Sequence, residues 1–523
     1  MPKSIFARLD RVLTRLPQAY PGPGGAVAVL KDGEVLVRHA WGFANAERRI
    51  AFTPRTLFRF CSITKQFTCA LALDLHPDLS ALDDDVLARL PRLVGAAPRA
   101  AHLAHNQSGL RDYWAVAMLL GSPVEAAFGD TEAARIVGDT RSLQFEPGTR
   151  FSYVNQNFRL LSDILQDRAG EAFTELLRRR VFDRVGMETA FLAADTSAMP
   201  DGTEGYEGAQ TGGFRAAENA ILWTGDAGLG ASLDDMIAWE RHVDATRDDP
   251  RSLYRRLSAP VAFADGSPAG YGFGLNRSVE FGRATTGHGG ALRGWRSHRL
   301  YVPEARVSVV VMFNHLANAY AAAIDLLAAA LNASASKPDA RHATPAWTGA
   351  YLEPESGLSV RVDAGDPGTV RLRFGHSAQV LDLRPDGSAG GGGAPRLHRD
   401  EAGYLILSRQ GDNTATRLTP LAPATLTTDV AGSYRCEELE SELTVIDAGG
   451  ALYGAFSGFL GRGRMELLEP VGDDVWVLPC PRALDHTPPG DWTLAFRRDV
   501  AGAPEGVSVG CWLARGLWYA RAS

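Results

Sequence analysis

Three short clusters in this chain bring together residue types that can break an acyl bond. In Phe60-Cys61-Ser62-Ile63-Thr64-Lys65-Gln66-Phe67 a serine and a lysine stand three apart, a spacing that puts hydroxyl and amine on one side of a first helical turn. That pairs a nucleophile with a base. Unlike arginine, a buried lysine can give up its proton, and this chain has only Lys3, Lys31, Lys65 and Lys337 among its 54 basic residues. Lys65 alone lies inside an apolar pattern. A helix start also offers an unpaired backbone N–H and a positive dipole end, suited to a developing oxyanion. In the second cluster, Tyr153-Val154-Asn155, a phenol and an amide two apart can face one pocket. In the third, His288-Gly289-Gly290 opens a strand whose glycines let a substrate backbone approach its edge. Ser-x-x-Lys alone is weak, since Ser334-x-x-Lys337 matches it equally; the apolar run behind Ser62 and the companion clusters decide between them.

Elements must hold these clusters together. From Gly25 the chain reads as strand, Asp32-Gly33 turn, strand, after an amphipathic helix with Ile5, Leu9, Val12, Leu13 and Leu16 on one face, expected to pack on a sheet. From Leu57 to Leu257 the pattern is mainly helix and loop. Ile63, Phe67, Ala70 and Leu71 mark one apolar helical face there. Three late strands follow, YGFGLNRSVEF, ATTGHGGALRGWRSHRLYV and ARVSVVVMFNH, and then the helical run ANAYAAAIDLLAAALNA. One sheet assembled from both ends of a domain over 1–333 accounts for this order. A polar Pro-containing stretch, 334–344, reads as a linker. Beyond it short alternating stretches recur without helices, and two β-barrels would use them, over 345–421 and 422–523 with the boundary near Leu421. A weak repeat supports the division: Gly349-Ala-Tyr351 before LSVRVDAG and Gly432-Ser-Tyr434 before LTVIDAG. The tetraglycine Gly390 to Gly393 reads as a loop tip.

Composition narrows the function classes. With 523 residues, 45% apolar and 22% charged, the chain is that of a globular protein of two or three units. Its 54 basic and 61 acidic residues give a net charge of −7 without a basic block, so a nucleic acid partner is not expected. No apolar run reaches membrane-spanning length and 1–25 lacks a signal-peptide core, so no membrane and a cytoplasmic location are expected. Five scattered cysteines show no Cys-x-x-Cys pair and read as buried free thiols. His102 and His105 lack a third ligand at a supporting spacing, and no nucleotide or flavin fingerprint is present, so neither metal nor cofactor is expected.

All three clusters, in this order and architecture, resemble the penicillin-recognising serine hydrolases: serine β-lactamases, D,D-peptidases and related esterases. His105-Asn106-Gln107-Ser108-Gly109-Leu110 is similar to their His-x-Ser-Gly-Leu segment with one extra residue. The whole chain is similar to the D-stereospecific aminopeptidases of this superfamily, through stretches such as CSITKQFTCA, HNQSGLRDYWA, GDAG, TGHGGALRGWR, YGAFSGFLG and SVGCWLARG. The resemblance implies an α/β (α+β) β-lactamase-like catalytic domain, an antiparallel sheet flanked by helices, then two eight-stranded antiparallel barrels, lipocalin-like. It implies Ser62 as nucleophile, Lys65 as neighbouring base, Tyr153 as proton shuttle, Asn155 as a polar substrate contact and His288 as the third-motif residue. Whether Lys65 or Tyr153 is the general base stays open. The N–H groups of Ser62 and Ala291 are the expected oxyanion donors.

One departure matters: many relatives place Lys-Thr-Gly where this chain has His288-Gly289-Gly290. Without that cation the case for binding a substrate's free carboxylate weakens. An aminopeptidase must instead hold an ammonium group, and the resemblance points to Asp485, in a last-barrel loop over 478–491 that reaches the active site. The expected activity is release of small N-terminal D-residues, such as D-alanine, from peptides, amides and esters, with β-lactams as possible inhibitors and a homodimer implied by resemblance. A D,D-carboxypeptidase or β-lactamase-like esterase is the alternative; a catalytically silent penicillin-binding protein is a third reading.

Overall fold

The computed structural model describes residues 4–334, 345–375, 378–390, 395–424 and 427–522. Most of the expected linker, Lys337 and most of the tetraglycine therefore lie outside the described residues.

The chain opens with helix α1 (Ile5–Ala19), followed by strands β1 (Gly24–Lys31), β2 (Glu34–Asn45) and β3 (Ile50–Ala51). Strand β4 (Phe58–Cys61) leads into helix α2 (Thr64–Leu75), and helices α3 (Tyr113–Leu119) and α4 (Gln156–Ala169) follow. After β5 (Leu229–Ala231) and α5 (Leu233–Thr246) come β6 (Tyr271–Gly272), β7 (Leu275–Glu280), β8 (Arg283–Leu292), β9 (Trp295–Val302), β10 (Val307–Phe313) and α6 (Ala319–Leu331). The main sheet is antiparallel with order β6-β7-β8-β9-β10-β1-β2-β3, so strands from both ends of the domain meet where β1 pairs with β10, Ala28 opposite Val310. Alternation sends Val27, Val29, Val309 and Val311 to one face, where α1 and α6 cover them through Leu9, Leu16, Leu326 and Leu327. Ala26, Ala28, Val310 and Met312 face the other helices.

Three expectations change. The stretch ATTGHGGALRGWRSHRLYV is a hairpin, β8 and β9, because the chain reverses at Arg293-Gly294, where Gly294 takes φ +85°. Short strands interrupt the supposedly helical middle, and one of them, β4, pairs with β5 directly ahead of Ser62. Finally, α2 has no solvent face over most of its length: every residue from Thr64 to Leu73 is buried, since α4 and neighbouring helical segments pack around it. The apolar face read from Ile63, Phe67, Ala70 and Leu71 is only part of a helix that is core all round.

The C-terminal third is antiparallel β-structure with two separate apolar cores. In the first β unit a five-stranded sheet runs Ala378–Asp382, Thr369–Arg373, Leu358–Ala364, Gly349–Glu353 and Thr419–Pro420, beside a four-stranded sheet from Ala389–Gly390 to Thr414–Arg417; a bridge between Leu383 and Ala389 links them. In the second, one sheet runs without a break from Leu452–Gly458 through Gly432–Cys436 and Ala514–Arg521 to Glu469–Gly472. The internal repeat is structural. Gly349 and Gly432 both hold φ near +152° at the start of a first strand, and the Tyr351 and Tyr434 hydroxyls donate to the carbonyls four residues back, Trp347 and Val430, at 2.6 and 2.7 Å.

Candidate active site

Strand β4 delivers the serine. Cys61 is forced to φ +53°, a left-handed conformation that costs a non-glycine residue about 1 kcal/mol or more. Surrounding bonds impose it: Cys61 pairs with Leu229, and the Thr64 hydroxyl donates to the Cys61 carbonyl at 2.5 Å while accepting Leu229 N–H at 2.8 Å. The sharp turn leaves Ser62 just ahead of α2, not within its first turn as the spacing suggests, and Lys65 on the helix. The two still meet.

Lys65 is fully buried, and its Nζ lies 3.1 Å from Ser62 Oγ, 2.8 Å from Asn155 Oδ1 and 2.7 Å from the Asp226 carbonyl oxygen. Burial pulls its pKa down to about 8, against the opposing charges of Asp226, Asp112 and Asp485. Tyr153 has Ser62 close enough to influence its phenol, and its ring centre stands 4.9 Å from Lys65 Nζ; burial holds the phenol well above its ordinary range. Asn155, ahead of α4, completes the cluster. His288 faces Tyr153 with ring centres 6.1 Å apart. Its Nδ1 sits 2.6 Å from the Gly289 carbonyl, which can only accept, so Nδ1 carries the proton and Nε2 accepts from the Tyr271 hydroxyl at 3.1 Å. Burial takes its pKa to about 3, so the imidazole is neutral.

One wall of the cleft is the edge of β8. Pairing with β7 ends at Asn276 opposite Gly287, so from His288 to Ala291 this edge turns to β4 instead. The approach is so close that a Cβ on Gly290 would stand 2.1 Å from the Phe60 carbonyl oxygen. The Ser297 hydroxyl on β9 donates to that same oxygen at 3.1 Å. Ala291 thus follows a glycine pressed against the strand that carries Ser62.

A segment of the second β unit packs beside these residues. This segment, after Leu478, is tied at the base by Cys480 N–H to Asp491 (3.0 Å) and at the shoulder by Arg482 to Glu125 (2.6 Å). Between them Ala483 and Leu484 enter the core of the catalytic domain, and a tight turn from Ala483 to Thr487 presents Asp485, itself buried. Its carboxyl accepts Thr487 N–H at 3.0 Å. Burial, reinforced by the Asp112 charge, raises its pKa to about 7, while Lys65 opposes the shift. All six predicted residues therefore gather in one place. The sequence reading assigned no role to Asp112, Asp226, Tyr271 or Arg296; Arg296 is close enough to Asp485 to feel its charge. Asp112 had a local signal, an acid one residue ahead of a helical run, which is the N-cap of α3.

Both parts of the chain match known proteins. A family model described as "Beta-lactamase" matches residues 9–333, and "D-aminopeptidase, domain B" matches 340–520. A D-aminopeptidase of Gluconobacter oxydans is 59% identical over the whole of both chains, and one of Brucella canis is 44% identical, again over the whole of both. The chain belongs to the D-aminopeptidase family. Among solved structures, the octameric penicillin-binding protein homologue from Pyrococcus abyssi shares the fold at 19% identity and TM-score 0.53, covering 88% of this chain and 99% of that one. SurE does so at 22% and 0.53, covering 79% and 99%. Family membership thus joins a β-lactamase-like catalytic domain to the β-structure that supplies Asp485.

Proposed function

We propose that this chain is a D-aminopeptidase that releases small N-terminal D-residues from peptides, amides and esters through an acyl-enzyme on Ser62, without a metal. The observation that carries the serine mechanism is the surroundings of Lys65. Asn155 Oδ1 and the Asp226 carbonyl oxygen are acceptors only, so a neutral amine must turn two N–H bonds toward them and its lone pair toward Ser62. That makes Lys65 the base that takes the serine proton as Oγ attacks the carbonyl carbon. The ammonium so formed has an acceptor for each proton. Ser62 and Ala291 N–H groups receive the oxyanion, the proton taken up by Lys65 is relayed through Tyr153 to the departing amine as the C–N bond breaks, and water then releases the D-residue by the reverse path.

Two features favour amino-terminal cleavage. Neutral His288 offers no cation for a C-terminal carboxylate. Asp485 offers a buried carboxyl for an α-ammonium, and the loop that carries it is proposed to exclude longer acyl chains. Hydrolysis of D-alaninamide, L-alaninamide and N-acetyl-D-alaninamide by the native chain and Ser62→Ala tests the reading. Turnover of the free-amine D substrate alone, lost in the variant, is expected; preference for the acetylated compound would replace it with the carboxypeptidase or esterase reading.

We read the units as 1–333, 345–421 and 422–523, the last two as eight-stranded barrels. In the first, Thr414–Arg417 runs on toward Thr419–Pro420, which pairs back to Gly349–Glu353. In the second, Glu466–Leu467 pairs Leu452–Gly458 at one end of the sheet while neighbouring Glu469–Gly472 forms the other. No helix among the described residues is long and apolar enough to cross a membrane. Five buried free thiols suit the reducing cytoplasm. A homodimer and inhibition by β-lactams complete the reading, by family likeness.

A further inference from the structure

We propose that Asp112 is a positioning residue for Lys65: its carboxylate locks the Asn155 amide so that Oδ1, and not Nδ2, faces the lysine. The inference rests on the serine-lysine reading above. Asp112 is fully buried, and its two oxygens are used differently. Oδ1 caps α3, accepting Trp114 and Ala115 N–H at 3.0 and 3.4 Å. Oδ2 turns the other way and accepts both Asn155 N–H (2.7 Å) and Asn155 Nδ2 (3.0 Å). A cap needs only the first oxygen. An amide held at Nδ2 by a carboxylate cannot rotate, because the flipped form would set carbonyl against carboxylate and an NH2 against the amine. Asp112 thereby fixes one of the two acceptors that orient the Lys65 lone pair.

The second β unit also seats Asp112. Asp112 N–H donates to the Leu513 carbonyl at 3.0 Å, and Arg111 Nε donates to the Arg515 carbonyl at 2.7 Å while its guanidinium pairs Glu438 at 3.1 Å. A hairpin of that unit therefore holds from behind the carboxylate that orients Asn155. Charge acts in the same place. Lys65 is faced by Ser62, Tyr153, His288, Cys61, Cys69, Asp112, Asp226 and Asp485, and Asp112 is one of the three acids that favour its ammonium. Removing that charge lowers the proton affinity of the amine.

The test uses Asp112→Ser, which keeps a hydroxyl cap on α3 but has nothing to hold Asn155, and Asp112→Asn, which keeps the shape and loses the charge. Each is measured for kcat and KM on D-alaninamide across about pH 6 to 10, alone and with Asn155→Ala, with circular dichroism to show folding. Expected are a fall of about 10- to 100-fold in plateau kcat, little change in KM, and an acid limb moved to lower pH. On the Asn155→Ala background Asp112→Ser should then cost less than about threefold in plateau kcat, because the amide it positions is gone. Should Asp112→Ser not fold, the kcat loss of Asp112→Asn on the native and Asn155→Ala backgrounds carries the test. An undiminished cost on the Asn155→Ala background would overturn the proposal. Ser62→Ala measured in parallel separates the failures: activity surviving there overturns the serine reading, whereas native-like Asp112 variants beside an inactive Ser62→Ala overturn the positioning role alone.

Discussion

Gly290→Ala tests whether the edge of β8 is a working wall of the site. The added methyl would lie 2.1 Å from the Phe60 carbonyl oxygen and 2.4 Å from Ser297 Oγ, where ordinary contact begins at 3.4 Å. The shortfall against the carbonyl is thus about 1.3 Å. Ser297 can rotate away, but the Phe60 oxygen is main chain, held by Ser297 and by Ile63 N–H at 3.3 Å, one residue from strained Cys61. Relief must come from parting β8 and β4, which separates Ala291 from Ser62 by about 1 Å. A displacement of that size costs about 100-fold in rate, and the overpacking costs about 1–3 kcal/mol of stability. The assay is kcat/KM on D-alaninamide beside thermal melting. Gly289→Ala is the control: its methyl meets the His298 ring at 3.0 Å and the Ser297 carbonyl oxygen at an ordinary 3.6 Å, and should cost less than tenfold. A folded Gly290→Ala within threefold of native activity would refute the argument that this edge and the nucleophile strand are in register for catalysis.

Three further outcomes are expected. Because burial lowers Lys65 to about 8 and the proposed base is its neutral amine, kcat should climb about tenfold per pH unit below pH 8 and level off above it; a flat profile from pH 6 to 9 would contradict this. Asp485→Asn should lose about 10- to 100-fold in kcat/KM on free-amine substrates and little on N-acetylated ones. Since burial raises the Asp485 carboxyl to about 7, native affinity for the amine should weaken as pH falls through 7 and the carboxyl takes up a proton, and an equal loss on both substrate classes would sink its assigned role. Arg111→Ala removes a buried guanidinium that ties the loop before α3 to Arg515, Ser142 and Glu438, and should cost about 3 kcal/mol in denaturant unfolding; an unchanged midpoint would show the seam to be slack.

The residues gathered around Lys65 were legible because short local spacings carry them: Ser62 with Lys65, Tyr153 with Asn155, and His288 before two glycines. Asp485 was legible only through family resemblance, since nothing near it in sequence marks a site. The supporting groups were not legible, because each acts through a contact distant along the chain. Asp112 meets Asn155 and Leu513, and the Asp226 carbonyl meets Lys65; no periodicity encodes such pairs. Burial explains the misread helix, since α2 carries polar Thr64, Gln66 and Thr68 yet buries all three. The hairpin of β8 and β9 was missed for a local reason: Arg293-Gly294 is a weaker turn signal than the Asp32-Gly33 that marked β1 and β2.

The central claim, a covalent D-acyl intermediate on Ser62, is best tested by rapid acid quench of the native enzyme turning over a D-alanine ester, followed by mass analysis of the intact chain and its peptides. The account predicts a transient increment of one D-alanyl group on the peptide that contains Ser62, absent in Ser62→Ala and absent with the L ester. Steady turnover without an adduct, or an adduct on any other residue, would contradict it.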